Sequence, residues 1–244
     1  MAEDIFLSII IPAYNEEANI VNTLTEIADF LDGKAFSSEV ILIDDGSKDR
    51  TLEEALIFEE KIPNFRIIES KPNKGKGYVV KKAMLQARGK YAMFMDADNS
   101  TSIDEIDKFF PYLEEGYDAV IGSRRLKDSQ VTVPESFMRI LLGNVYILLS
   151  KIILGSKVND FNCGFKAYKG ESAKRIFSLQ KMDDWSFDTE LIFLINKLGM
   201  KLKEVPVKWA HKNTSKVKPF KAGVESFLSL IKIKWNDIKG IYEK

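Results

Sequence analysis

The sequence predicts an α/β protein: a Rossmann-like, mostly parallel sheet flanked by helices, with amphipathic helices toward its C-terminal end. Three observations carry this. Short apolar runs alternate with segments whose apolar residues recur at helical spacing. The runs are continuously apolar, as in strands covered on both faces. Four of them end abruptly in polar clusters, and open parallel sheets bind ligands at the carboxyl ends of their strands.

The elements follow in order. "LSIIIPAYN" is the first strand, closed by turn residues, and Ile20, Leu24, Ile27 and Leu31 mark the helix after it. "EVILIDDGS" is the second strand, followed by Leu52, Ala55 and Leu56. "FRIIES" is the third, followed by Val79, Val80, Ala83, Met84 and Ala87 on one helical face. "KYAMFMDAD" is the fourth. Ser102 and Glu105 form a capping-box pattern that opens a helix through Ile103, Ile106 and Phe110. "DAVIGSR" is the fifth strand. Residues 136–156 read as one or two apolar helices with basic residues and no acid. "DFNCGFKAY" is strand-like at its end. Helices at 170–179 and 187–198 and a strand in "KLKEVPVKW" come next. Residues 219–244 read as an amphipathic helix. The expected division is a catalytic domain over 1–212 and a basic amphipathic segment over 213–244.

Composition narrows the function. The 244 residues carry 36 Lys+Arg and 36 Asp+Glu, a neutral balance that argues against a general nucleic-acid binder. The balance is uneven: Lys212 to Lys244 holds eight lysines and three acids, net +5. One cysteine, Cys163, allows no intramolecular disulfide, and "MAEDIF", acidic and without a long apolar core, is not expected to act as a signal peptide. No uninterrupted apolar stretch of about 18 residues is present. The expectation is a cytoplasmic protein attached peripherally to the cytoplasmic face of a membrane.

The polar clusters are "PAYNEE" (12–17), "DDGSKD" (44–49), "KPNKGKG" (71–77) and "DADNS" (96–100). Asp96 and Asp98 are spaced by two, so extended backbone points both side chains the same way. Two converging carboxylates suit a hard divalent cation, Mg²⁺ or Mn²⁺, which completes its shell with substrate phosphates and water. Ser102 is the better candidate for a helix cap. Lys74 and Lys76 stand among glycines before a helix, a place that favours anions. Neither a Walker A loop nor GxGxxG is present, so triphosphate hydrolysis and dinucleotide binding are disfavoured.

"SIIIPAYNE", "DDGSKD", "NKGKG" and "DAD", in this order, resemble the inverting glycosyltransferases of family 2, which have the GT-A fold. "GSRR" (122–125), "DFNCGFKAY" (160–168), "WSFDTEL" (185–191), "VKW" (207–209) and "SKVKPF" (215–220) extend the likeness to the polyprenol-phosphate branch. Within it the dolichyl-phosphate glucosyltransferases are most similar, with the dolichyl-phosphate mannose synthases as sisters. The resemblance implies that Pro12, Tyr14 and Glu16 line the nucleoside and that Asp44 or Asp45 reads the base. It implies that Lys74 and Lys76 stand by the donor and that Asp96 and Asp98 hold its diphosphate through the metal. It places Arg124 at a donor or acceptor phosphate, and Asp188 and Glu190 toward the sugar. Asn99 departs from the pattern, since many relatives carry Gln or Gly after "DAD"; the resemblance supplies no third side-chain ligand.

The implied reaction moves a hexose from a nucleotide sugar to a dolichyl or polyprenyl phosphate. UDP-glucose is the favoured donor and GDP-mannose the alternative. The metal neutralises charge developing on the leaving diphosphate. The acceptor phosphate is already ionised and needs little base catalysis. The protein must instead offset the repulsion of two anions, a task for Arg124, Arg125, Arg139 and Lys216. One displacement with inversion at C1 and no covalent enzyme intermediate is expected. The nucleotide-sugar pyrophosphorylases would open with a "GxGTR" loop that is not here. A processive polysaccharide synthase would carry "QxxRW" and membrane spans. A non-catalytic nucleotide-sugar sensor would have no need of "GSRR" or "FDTEL".

Other residues read more simply. His211, beside Trp209, is packing or edge-of-site, Cys163 is a small buried residue, and Phe109 to Leu113 are packing. Val224, Phe227, Leu228, Ile231, Trp235, Ile238 and Ile241 form an apolar stripe flanked by Lys221, Lys232, Lys234 and Lys239. Such a helix suits an anionic membrane surface. A homo-oligomer could bury the same stripe.

Overall fold

The computed structural model describes residues 4–132, 137–210 and 219–243, with the helical backbone alone at 137–139 and 219–224. In chain order the elements are β1 (Leu7–Ala13), α1 (Ile20–Asp32), β2 (Ser38–Asp44), α2 (Thr51–Leu56), β3 (Phe65–Glu69), α3 (Lys76–Met84) and β4 (Tyr91–Met95). A 3₁₀ turn (Ile103–Lys108), α4 (Phe110–Glu114), β5 (Ala119–Ser123), β6 (Gln130–Val131) and α5 (Phe137–Leu154) follow. Then come β7 (Phe165–Lys169), α6 (Gly170–Leu179), α7 (Phe187–Lys197), β8 (Leu202–Pro206), β9 (Lys208–Trp209) and α8 (Pro219–Ile238).

Seven strands form one sheet in the order β3-β2-β1-β4-β7-β5-β8, and β6 and β9 make a separate pair. β7 runs antiparallel to both its neighbours, β4 and β5, and every other pairing in the sheet is parallel. The runs of Ile, Val and Leu are buried on both faces, as continuous apolar strands require. Leu7, Ile9 and Ile11 of β1 pack with α1 on one side, while Ile10 packs with Val79, Val80 and Ala83 of α3 on the other. Register aligns the strand ends, with Ala13 beside Asp44 and Asp44 beside Glu69.

The expected helix after Ser102 is a 3₁₀ turn followed by the short α4. The capping box does not close. The Ser102 hydroxyl bonds Asp104, and Glu105 accepts from the Lys208 backbone N–H at 3.1 Å and pairs with Lys108. Glu105 therefore ties this turn to β9 instead of to its own N-terminus. Phe109 and Leu113 are buried and Cys163 is buried, as expected. Burial pushes the Cys163 thiol up to about 12, which keeps it protonated and unreactive.

α8 packs beside α5 and turns Leu230 and Ile233 inward. The stripe of Phe227, Leu228, Ile231, Trp235 and Ile238 stays exposed. α5 likewise exposes Leu141, Val145, Leu148 and Ile152, which are three or four residues apart and share one face. No helix among the described residues is long and apolar enough to cross a membrane.

Candidate active site

The four polar clusters converge on the carboxyl edge of the sheet, and backbone hydrogen bonds lock them together. The Asn15 N–H donates to Ser47 Oγ at 2.9 Å and the Lys48 N–H to Asn15 Oδ1 at 2.8 Å, which staples the loops after β1 and β2. The Glu16 N–H donates to Thr51 Oγ1 at 2.8 Å, which docks the same loop on α2. Pro12 lies buried within β1, Tyr14 is exposed, and Glu16 is half-buried beside the carboxylates that follow β4. Burial raises the Glu16 carboxyl; the Asn19 amide opposes this, and the charges of Asp98 and Asp96 add to the rise.

Asp44 and Asp45 part company. Asp45 accepts the backbone N–H groups of Lys74 and Gly75, each at 2.8 Å, and so fastens the lysine–glycine loop to β2. Asp44 Oδ2 accepts Gly46 N–H and Ser47 N–H at 3.0 Å each. Its Oδ1 is buried and accepts no hydrogen bond from the described residues. A buried unpaired acceptor is costly unless something else satisfies it. Of the two acids, Asp44 is the one left with an unpaired oxygen among the described residues.

Asp96 and Asp98 follow β4 with Ala97 buried between them, but the strand ends at Met95 and a turn closed by the Asn99 N–H on Asp96 O at 3.2 Å carries the pair in place of the expected extended backbone. Asp98 accepts the Ser100 N–H and hydroxyl, both at 2.9 Å. Asn99 turns the chain with φ +53° and points its amide at Glu26 of α1, away from the pair. Lys76 pairs with Asp96, and its side chain is only 11% exposed. Burial alone would lower the Lys76 ammonium, but Asp96, Asp188 and Asp98 outweigh it and raise it. Lys74 instead lies over the Tyr78 ring, 4.5 Å from its centroid. A Cβ on Gly164 would stand 2.1 Å from Asp96 Oδ2, so only glycine leaves room for this carboxylate.

The donor set fits a divalent cation: two half-exposed carboxylates at one edge, balanced in the free protein by an ammonium. Among the described residues, no group of three His, Cys, Asp or Glu could hold such an ion. Asp96 and Asp98 would thus hold it together with phosphate and water oxygens, the usual arrangement for Mg²⁺.

The other predicted residues have partners that the sequence did not disclose. Arg124 grips the buried Asp160 with Nε at 2.7 Å and Nη2 at 2.8 Å, and lies 5.2 Å from the Trp209 ring centroid. Arg125, exposed, reaches Asn144 on α5. Asp188 is buried and paired with the fully buried Lys166, whose ammonium also donates to Cys163 O at 2.6 Å. Burial pushes the Asp188 carboxyl upward against the pull of Lys166 and Lys76. Glu190 is buried. Both its oxygens are engaged, by Lys181 N–H, by Met182 N–H at 2.8 Å and by the Tyr242 hydroxyl at 2.6 Å. Its work is to hold the loop before α7 and the end of the chain. The Arg139 side chain, His211 and Lys216 lie outside the described residues. Asp160, Lys166, Gly164 and Tyr242 went unassigned in the sequence; a buried lysine in an apolar strand is the one signal that could have pointed to Asp188.

Comparison with known proteins bears on this edge. The sequence profile of "Glycosyl transferase family 2" matches residues 8–177. The dolichyl-phosphate beta-glucosyltransferase of Dictyostelium discoideum is 34% identical over 99% of this chain and 77% of its own length. The enzyme of the same name from Saccharomyces cerevisiae is 30% identical over 98% of this chain and 77% of its own. Among solved structures, glucosyl-3-phosphoglycerate synthase from Mycobacterium tuberculosis, in complex with Mn²⁺, UDP and glucosyl-3-phosphoglycerate, superposes with TM-score 0.66. It is 21% identical and covers 93% of this chain and 78% of that one. Fold and sequence together define a glycosyltransferase of the GT-A architecture. The chain belongs to glycosyl transferase family 2 and is a glycosyltransferase.

Proposed function

We propose that this glycosyltransferase moves glucose from UDP-glucose to the phosphate of a dolichyl or polyprenyl lipid, with inversion at C1 and with Mg²⁺ or Mn²⁺. The relatives whose names carry dolichyl phosphate match nearly the whole chain, including the part beyond the family profile. The single observation in the fold that carries the donor is Asp44 Oδ1. One unpaired acceptor oxygen suits the one N3–H of uracil. Guanine presents N1–H and the 2-amino group side by side, which a carboxylate meets with two open oxygens. At Asp44 the second oxygen is already bonded to Gly46 and Ser47.

The residue roles proposed with this reaction are these. Asp96 and Asp98 hold the ion; bound there, it supplies Lewis-acid neutralisation of the leaving diphosphate. Lys74 and Lys76 add positive charge beside the donor, and Tyr14 and Glu16 border the nucleoside. Asp188, buried beside Lys166 and Lys76, sets the field at the base of the site. Arg125 ties the site to the apolar helix α5, and with Arg139 and Lys216 it is proposed to grip the acceptor phosphate. The exposed stripes of α5 and α8 are proposed to lie on an anionic membrane surface with the lipid head group beside Arg125, and the protein is proposed to sit on the cytoplasmic face. Calorimetric titration with UDP and GDP in the presence of Mn²⁺ tests the donor reading. UDP binding at least tenfold tighter supports it, and equal or tighter GDP binding overturns it.

A further inference from the structure

We propose that Lys76 is a built-in substitute for the divalent cation, and that metal entry is thereby conditional on a nucleoside diphosphate; this rests on reading Asp96 and Asp98 as the residues that hold the ion. Lys76 opens α3 directly after Gly75, whose φ of +100° sets the entry into the helix. Its ammonium lies 5.1 Å from the Trp185 ring centroid and 5.8 Å from that of Phe187, and ends on Asp96 Oδ1. Its side chain is 11% exposed and that of Asp96 is 37% exposed, so this is a seated ammonium and not a mobile surface lysine.

Lys76 holds one oxygen of Asp96, and the missing Cβ of Gly164, which would stand 2.1 Å from the other oxygen, leaves the carboxylate its place. A divalent ion on Asp96 is repelled by the ammonium already seated there. An ion that takes Asp96 must therefore compete with the ammonium for the same group. A bare divalent ion would break one charge-assisted hydrogen bond and strand a largely buried charge. Among the described residues the two other carboxylates whose charge reaches it are taken: Asp188 is paired with Lys166, and Asp98 would be on the ion. A nucleoside diphosphate arriving with the metal offers the displaced ammonium a new anion. Metal and nucleotide then bind as a pair, more cooperatively than their own contact requires. By linkage, each raises the other's affinity by the same factor.

The test is Mn²⁺ binding followed by electron paramagnetic resonance of the free ion, with and without UDP, on the full chain. Lys76→Met should bind Mn²⁺ alone about tenfold more tightly than the unaltered protein, the equivalent of one charge-assisted hydrogen bond. It should bind UDP alone more weakly, so the mutual enhancement shrinks. Lys76→Arg keeps the charge and should stay near the unaltered protein; Lys76→Gln is the second neutral variant should the methionine variant fail to fold. Lys76→Met binding Mn²⁺ alone no more tightly, while UDP still recruits Mn²⁺ and Asp98→Asn abolishes that recruitment, overturns the substitute role and leaves the metal reading standing. Failure of UDP to recruit Mn²⁺ to the unaltered protein removes the metal reading and this inference together.

Discussion

Replacing Arg124 by alanine strips the partner from a buried carboxylate. Asp160 is 2% exposed and Arg124 23% exposed, and two guanidinium donors reach its two oxygens at 2.7 and 2.8 Å. Breaking a buried pair from one side costs about 3–5 kcal/mol. Asp160 keeps the backbone N–H groups of Arg124 at 2.9 Å and Asn162 at 3.3 Å, which places the loss at the low end, about 3 kcal/mol. For a chain of this length that lowers Tm by roughly 6–12 °C. The pH dependence has a definite sign. Burial alone would raise the Asp160 carboxyl, but the Arg124 charge outweighs it and holds it below its ordinary value. A depressed carboxylate contributes stability that is full above its unfolded value, about 3.9, and is lost as pH falls through the folded one. The gap between the unaltered protein and Arg124→Ala should be full at pH 7 and narrow below about pH 4. Arg124→Ala with Asp160→Asn should recover much of the loss, since no lone charge stays buried. Urea denaturation at several pH values measures all three. A loss under about 1 kcal/mol at pH 7, or a gap that persists in acid, refutes the reasoning.

Three further outcomes are expected. Asp98→Ala should cut transfer by about 100-fold or more while lowering Tm by only a few degrees, because the hydrogen bonds it accepts among the described residues both come from Ser100; chelator-insensitive turnover would contradict this. Tyr242→Phe keeps the ring against Phe193 but removes the hydroxyl from Glu190, and should cost about 1–2 kcal/mol in urea denaturation without changing UDP affinity. Trp235→Glu with Leu228→Glu, both exposed, should leave Tm unchanged and weaken sedimentation with anionic vesicles, whereas unchanged vesicle binding would assign the stripe to contact between copies.

What could be read from the sequence was local. Ile, Val and Leu runs announce buried strands, and Asp96 with Asp98 at the end of one announces a site, because neither pattern needs a distant partner. The antiparallel β7 was not legible: nothing local in "FKAYK" gives a strand's direction, and only the pairing of Phe165 with Met95 reveals it. The partnerships of charged groups were hidden for the same reason. Arg124 meets Asp160, Lys166 meets Asp188, and Glu190 meets Tyr242, each across a span of chain that no period connects. Ser102 and Glu105 matched a local rule and were overridden by β9, which took Glu105 for itself. Asp44 and Asp45 look alike in sequence. They differ only in which backbone N–H groups the fold brings to each.

The most direct test of the proposed function is a transfer assay on the purified full chain with dolichyl phosphate in vesicles. UDP-glucose and GDP-mannose, each labelled in the sugar, are offered separately with Mg²⁺ or Mn²⁺, and the lipid product is analysed at C1. The account predicts label from UDP-glucose in a lipid-linked β-glucosyl phosphate, lost on chelation. Label transferred from GDP-mannose alone, or an α-linked product, would contradict it.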